Sequence, residues 1–196
     1  MSKWLKIGAA VGVALLVLGS FAGMYFGLYN DIITARNDAT LKWSEVLSAY
    51  EQNFVNVAQS AQVAKFSVNA QLNLTLMYAA LREGHDIDAT NPDKMNEAVA
   101  TLDETAALFM IAVRQEAVPQ LDTTQLTELN AVIESTLRVV RETRDNFSTA
   151  VTEYNNIIQT FPGVWFNDTF WHFKPLKTFQ PKVDHPPEEN IDLGLP

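Results

Sequence analysis

The feature that most constrains this chain is an uncharged, apolar run near its N-terminus, from Ile7 to Leu28. An α-helix of these roughly 22 residues is long enough to cross the ~30 Å hydrocarbon layer of a bilayer. Trp4 and Tyr25 lie near its two ends, where amphipathic rings favour the headgroup level. We therefore predict a single-pass anchor over residues 7–28, preceded by a short basic N-terminus over residues 1–6.

The run has one alternative interpretation, a cleavable signal peptide, because residues 20–22 resemble a cleavage site. The apolar run continues past that site, which favours a retained anchor. Lys3 and Lys6 make the preceding flank purely basic, whereas the following flank mixes basic and acidic residues. Excess Lys and Arg marks the cytoplasmic side of a membrane helix. We therefore expect a cytoplasmic N-terminus and a domain on the outer side.

The run also contains glycines that are four residues apart. A spacing of four places each set on one helix face, where two helix backbones can approach closely. Glycine is also common in membrane helices in general, so the spacing is compatible with a contact surface for self-association or with ordinary composition. The two sets are Gly8 with Gly12, and Gly19 with Gly23 and Gly27.

Beyond the run, apolar residues recur every three or four positions, which predicts amphipathic helices packed as in a coiled coil. No Pro or Gly interrupts the first stripe, so we expect one unbroken helix from Lys3 to Leu81. Gly84, Pro92, Pro119 and residues 122–124 mark the limits of two further helices. The first stripe comprises Trp43, Val46, Tyr50, Phe54, Val57, Ala61, Ala64, Val68, Leu72, Leu76 and Ala79.

The predicted fold is therefore all-α: a transmembrane helix that continues into an antiparallel bundle of three or four long helices over residues 29–162. Pro162 and Gly163 end the last long helix, and an aromatic segment follows over residues 163–175. Four prolines in residues 176–196 predict an extended Pro-rich tail there.

The aromatic segment allows three interpretations: it caps the bundle, rests on the membrane interface or docks a partner protein. Three helices would place it far from the anchor, whereas a fourth crossing would bring it back. Its candidate partner-contact residues are Trp165, Phe166, Phe170, Trp171 and Phe173.

Charge and composition exclude several classes of function. The formal net charge of -9 disfavours nucleic acid and anionic lipid headgroups as partners. The chain has no cysteine, and its three histidines lack metal-ligand spacing, so we predict no catalytic residue, no metal site and no cofactor. Arg144 falls on an apolar stripe and needs a carboxylate, helix-end carbonyls or a route to solvent. Asp103 and Glu104 are expected to face solvent.

Two groups of residues resemble the LemA family. The first directly follows the apolar run, and the second lies at the end of the last long helix, before an aromatic stretch over residues 170–175. The resemblance implies a membrane-anchored antiparallel helical bundle, a packing role for the motif residues and no established enzymatic reaction. These residues are Tyr29, Asn30, Arg36, Asn37, Trp43 and Ser44, and then Arg144, Phe147, Val151, Tyr154, Asn155, Ile158, Phe161 and Pro162.

The chain also departs from the family pattern. A basic pair followed by D-L-I-P-N-L-V is usual in the first long helix of the family, whereas Gln52 to Val57 read QNFVNV here. Ser148 replaces a usual Asn and His172 a usual Gly. The resemblance therefore describes a divergent member, and any role of the missing segment is not transferred to this chain.

Two functions fit these features. In the first, the chain is a non-enzymatic membrane scaffold or organiser that forms a homo-oligomer through the anchor glycines, with its tail across an adjacent protomer. In the second, it is a membrane-tethered adaptor that binds another membrane protein through its acidic face or its aromatic segment. The lipid bilayer is an expected partner in both.

Overall fold

The computed structural model describes residues 3–61, 68–87, 92–117 and 121–179. In these ranges the chain is helical with no strand, as the sequence predicts. The long helices are α1 (Lys3–Ser60), α2 (Val68–His85), α3 (Pro92–Ala117) and α4 (Thr123–Gln159). A short α5 (Gly163–Phe166) continues into a π-helical turn, π1 (Asn167–Trp171). Ala64 of the predicted stripe and the tail beyond residue 179 lie outside the described residues.

Helix α1 is 58 residues long, or about 87 Å at 1.5 Å per residue. Its N-terminal part is apolar and exposed, and among the described residues it is the one helix long and apolar enough to cross a membrane. Its C-terminal part buries the predicted stripe almost completely in the core of the bundle. The stripe residues buried there are Trp43, Val46, Tyr50, Phe54, Val57 and Ala61.

The expectation of one unbroken helix to Leu81 is wrong, because α1 ends at Ser60 and α2 runs back along it. The indole Nε1 of Trp43 donates a 3.2 Å hydrogen bond to the carbonyl of Gly84, near the end of α2. The predicted stripe also changes face here. Leu72, Leu76 and Ala79 are exposed, while α2 buries Met77, Ala80 and Leu81. An apolar period of three to four is the same in one long helix and in two antiparallel ones, so the stripe could not reveal the reversal.

Helices α3 and α4 complete four antiparallel crossings. Phe109 of α3 packs 5.7 Å from Phe54 between ring centroids, and Phe147 of α4 packs 5.6 Å from Trp43. Asp122 caps α4 in a reciprocal capping box with Gln125, which fixes where this helix begins. The fourth crossing returns the end of α4 to the level at which α1 enters the bundle.

An ion pair in the middle of the bundle joins three of the helices. The guanidinium of Arg144 (α4) contacts both carboxylate oxygens of Asp103 (α3), at 2.9 and 3.1 Å. The hydroxyl of Tyr50 (α1) donates to the same carboxylate at 3.4 Å, and the ring of Phe179 lies 4.4 Å from the guanidinium carbon. Arg144 therefore has the predicted carboxylate partner. The prediction that Asp103 simply faces solvent is wrong, because only about a quarter of its side chain is exposed (26%).

Tyr50 makes this group of residues sensitive to alkaline pH. Burial raises the pKa of Tyr50 well above its usual value, and Asp103 adds to the rise while Arg144 opposes it. The unfolded chain therefore loses the Tyr50 proton at a lower pH than the folded chain does, so the free energy of unfolding should fall as the pH rises above about 10. Tyr50→Phe should make that fall shallower, at a cost of about 1 kcal/mol at neutral pH for the lost hydrogen bond.

Urea unfolding of the full chain in detergent, followed by circular dichroism from pH 7 to pH 11, measures this difference. Tyr29→Phe is the matched control, because its hydroxyl does not contact the ion pair. If the free energy of unfolding fell equally steeply with pH in wild type and in Tyr50→Phe, the assignment of this pH dependence to Tyr50 would be contradicted.

Candidate functional site

The most distinctive surface of the described chain lies where the end of α4 meets the apolar part of α1. Phe21, Tyr25 and Tyr29 are four residues apart and share one face of α1. Residues 161–171, which we call the aromatic foot, pack along this face. The rings of the foot are Phe161, Trp165, Phe166, Phe170 and Trp171.

Ring contacts hold the foot against α1 at successive levels. Phe166 is buried, with its ring centroid 5.3 Å from that of Phe21 and 5.7 Å from that of Tyr25. Trp165 lies edge-on to Phe21 at 5.9 Å, and Trp171 lies 5.1 Å from Tyr25 and 5.8 Å from Tyr29. These spacings are the preferred range for aromatic pairs. The foot therefore descends along α1 as far as Phe21, inside the apolar run.

The opposite side of the foot is open. Phe161 is 83% exposed, Trp165 47% and Phe170 49%. The foot thus covers Phe166 and most of Trp171, while Phe161 and about half of Trp165 and Phe170 stay uncovered. Partly uncovered aromatic rings beside the end of an apolar run are typical of a surface that contacts lipid or another protein.

A close backbone approach, a pair of hydrogen bonds and a left-handed turn fix the conformation of the foot. A Cβ atom added at Gly163 would lie 1.8 Å from the carbonyl oxygen of Ile157, so only glycine allows α5 to lie this close to the end of α4. The amide side chain of Asn167 bonds both the N–H (2.8 Å) and the C=O (3.0 Å) of Phe173. His172 turns the chain out of π1 with left-handed backbone angles, φ 55° and ψ 35°.

The residues after the foot form a strap, residues 172–179, that runs without helix along the bundle. Asn155 bonds both backbone groups of Leu176, at 2.9 and 2.7 Å, and the hydroxyl of Tyr154 donates to the carbonyl of Lys174 at 3.0 Å. Leu176 and Phe179 are buried. The strap therefore packs on its own bundle and holds the foot from above.

The predicted motif residues occupy two kinds of position. Trp43, Phe147 and Tyr154 are buried in the core, and Asn155 and Arg144 make the contacts described above. Arg36 stacks 5.9 Å from the ring centroid of Phe173. Others lie nearer the surface: Asn30, Asn37 and Phe161 are exposed, Tyr29 is partly exposed, and Pro162 is half-buried. Their packing role as a set stays a prediction.

The partners of the foot were not predicted from the sequence. Tyr25 was expected at the end of the anchor and Phe21 in a candidate cleavage site, although their spacing of four with Tyr29 could have identified an aromatic face. The aromatic segment was also expected far from the anchor in a three-helix arrangement, whereas the fourth crossing puts it beside the anchor. Asn167, which clamps Phe173, carried no recognisable signal.

The glycine face of α1 lies away from the foot. At 3.6 residues per turn, the five predicted glycines centre about 140° around the helix from Phe21, Tyr25 and Tyr29. A Cβ atom added at Gly8, Gly12, Gly19, Gly23 or Gly27 would meet nothing within 4 Å. Within one chain this face is therefore uncovered along the whole apolar run.

In the part of the chain that the structure describes, no group of three or more His, Asp or Glu side chains is placed to hold a metal ion. The chemistry of this region is that of aromatic and aliphatic surface, with Asp168 the one charged residue in the foot.

Gly163→Ala should detach the foot from α4, because the added methyl group meets backbone that cannot move aside. We expect a loss of about 3 kcal/mol, at the upper end for overpacking. Near-ultraviolet circular dichroism should report the loss of aromatic packing, and thermal melting of the full chain the loss of stability. Gly84→Ala is the matched control, since its new methyl group would approach side-chain atoms and no backbone: Leu47 at 2.8 Å and Trp43 at 3.5 Å. Equal melting of the two variants would contradict the steric argument.

His172→Gly should stabilise the chain. A residue with a Cβ atom pays about 1–2 kcal/mol for left-handed backbone angles, whereas glycine adopts them freely but orders at a greater entropic cost. The net gain should be about 0.5–1 kcal/mol in chemical unfolding. His172 is exposed, so little packing is lost, and His172→Ala should give no gain. A destabilised His172→Gly variant would show that the imidazole itself holds the turn.

Comparison with known proteins agrees with this architecture. The family model described as LemA family matches residues 28–191, which is most of the chain. No curated protein and no solved structure gives a match. The LemA family is not a known enzyme family. The matched region begins at the end of the apolar run and includes the bundle, the foot and the strap, so this chain belongs to the LemA family.

Proposed function

We propose that this protein is a non-enzymatic, membrane-anchored helical bundle that self-associates through its anchor and acts as a scaffold or organiser in the membrane. The observation that carries the proposal is the uncovered glycine face of α1. The foot occupies one side of the helix, and the glycines lie on another, where an added Cβ atom meets nothing. Two anchors can therefore pack backbone to backbone without displacing the foot.

Retention of the anchor is supported by its contacts with the domain. Phe21, in the middle of the candidate signal-peptide cleavage site, packs against Trp165 and Phe166. Cleavage there would remove the Phe21 ring from its contacts with Trp165 and Phe166. The apolar window of α1 has none of its residues buried inside the chain, which suits a helix surrounded by lipid rather than a core helix.

The topology that we propose follows from charge. Lys3 and Lys6 precede the apolar run, and Asp31 is the first charged residue after it. The N-terminus is then cytoplasmic, with the bundle on the outer side of the membrane. The expected contact of the tail with an adjacent protomer falls on residues outside the described part of the chain.

The adaptor hypothesis has one observation in its favour, the exposed rings of Phe161 and Trp165. Most of the other foot rings pack on α1, which leaves less aromatic surface for a partner protein than the sequence suggests. Trp171 packs between Tyr25, Tyr29 and Phe166, so its replacement would disturb the fold as well as any docking. We therefore rank the scaffold first.

The double variant Gly12→Leu/Gly19→Leu should abolish self-association, because two large side chains keep neighbouring backbones apart. Chemical cross-linking in native membranes and light scattering in mild detergent should show oligomers for wild type and monomers for the variant. Ala10→Leu is the matched control, since Ala10 lies about 160° around the helix from Gly12 and its substitution should leave the oligomer intact. A wild-type protein that is strictly monomeric at all concentrations would overturn the scaffold proposal.

A further inference from the structure

The open side of the aromatic foot lies beside the apolar part of α1, which the proposed function places in the membrane. Asp31 is the first charged residue after the apolar run. Phe21 and Tyr25 are ten and six residues before it, or about 15 and 9 Å along the helix axis. The headgroup layer on each side of a bilayer is only about 5–7 Å thick. The rings that pack against Phe21 therefore reach past the headgroups when Asp31 lies at the water boundary.

We infer that the foot is a second membrane contact, which inserts Phe161 and Trp165 into the outer-leaflet interface beside the anchor. This inference rests on the proposed membrane anchoring. We favour lipid as the group that covers the open side of the foot, because this surface is continuous with the apolar surface of α1. Trp165 and Phe166 contact Phe21, which is itself part of the apolar run. Amphipathic rings such as Trp are enriched at this depth in membrane proteins.

Several backbone N–H groups of the foot have partners within the protein, as entry into an apolar layer requires. Helix α5 continues directly into π1, and Val164 N–H and His172 N–H donate to the carbonyls of Thr160 and Asn167. Pro162 has no N–H to satisfy. The hydroxyls of Thr160 and Thr169 donate to the carbonyls of Asn156 and Trp165. These internal hydrogen bonds favour an interfacial insertion over an ordinary solvated loop.

The position of its one charged residue limits how deeply the foot can enter the membrane. From Gln159 to Phe173 the one charged residue is Asp168, whose side chain is exposed. A carboxylate is costly in hydrocarbon but acceptable among headgroups. Above the foot lie Arg36, Lys174 and Lys177. The foot therefore inserts Trp165 while Asp168 stays at the headgroup level, and a second point of contact fixes the tilt and rotation of the bundle on the membrane.

The absence of native cysteine permits a direct test. Single-cysteine variants Phe161→Cys and Trp165→Cys carry a nitroxide spin label, and in both variants the contacts of Phe166 with Phe21 and of Trp171 with Tyr25 remain to hold the foot on α1. Leu16→Cys, in the middle of the apolar run, is the lipid control, and Thr149→Cys, exposed on α4, is the water control. The labelled full-length chains are reconstituted singly into phosphatidylcholine nanodiscs. Label accessibility to oxygen, which is concentrated in lipid, is compared with accessibility to a water-soluble nickel complex.

Insertion predicts that the oxygen-to-nickel accessibility ratio at position 165 exceeds that at position 149 several-fold and approaches that at position 16. The ratio at position 161 should also exceed the water control. A label at 165 that matches position 149 while position 16 reports lipid would overturn the foot insertion and leave the anchor intact. A label at 16 that also reports water would overturn the membrane anchoring itself. A label at 165 that neither reagent reaches would place protein, and not lipid, on this surface.

Trp165→Glu provides an independent check that does not depend on a label. Trp165→Glu and Trp165→Phe keep the same three tryptophans, Trp4, Trp43 and Trp171. A charge at position 165 should be expelled from the interface, so a water-soluble quencher should reduce the tryptophan emission of Trp165→Glu more than that of Trp165→Phe. Equal quenching of the two variants would contradict the insertion.

Discussion

The antiparallel contact between α1 and α4 determines the rest of this structure. Helix α1 is both the apolar helix and one wall of the bundle, and α4 packs along it with Phe147 on Trp43. Because α4 runs back towards the apolar part of α1, whatever follows α4 must emerge beside that part. The foot and the strap both lie where they do for this reason. Their internal details, such as the Asn167 clamp, then fix their shape.

Polar side chains connect the helices and the strap of the described bundle at defined points. Arg144 and Asp103 join α4 to α3, with Tyr50 of α1 as the third member. Asn155 and Asn167 each satisfy both backbone groups of one residue after the foot. Such bonds add little net stability individually, but an unpaired buried polar group is costly. They therefore select one register for the strap, while burial of Leu176 and Phe179 supplies the driving force.

Two faces of the same apolar helix serve different purposes in the proposed function. The foot occupies the face of Phe21, Tyr25 and Tyr29, and the glycines occupy a face about 140° away. A helix that was only a membrane tether would need neither. A scaffold needs both a lateral contact between copies and a fixed orientation of each bundle on the membrane, and the two faces supply these separately.

The sequence by itself determined the helical class, the apolar run, the stripes of α1 and α4, the end of α2 near Gly84 and the need of Arg144 for a polar partner or a route to solvent. These are local properties, set by periodicity, capping and the cost of a buried charge. Only the tertiary structure decided that the chain reverses after Ser60 and that Met77, not Leu76, faces the core. It also decided that the foot packs on Phe21. Helical periodicity is identical before and after a reversal, so the direction of each crossing depends on which faces pack together in three dimensions.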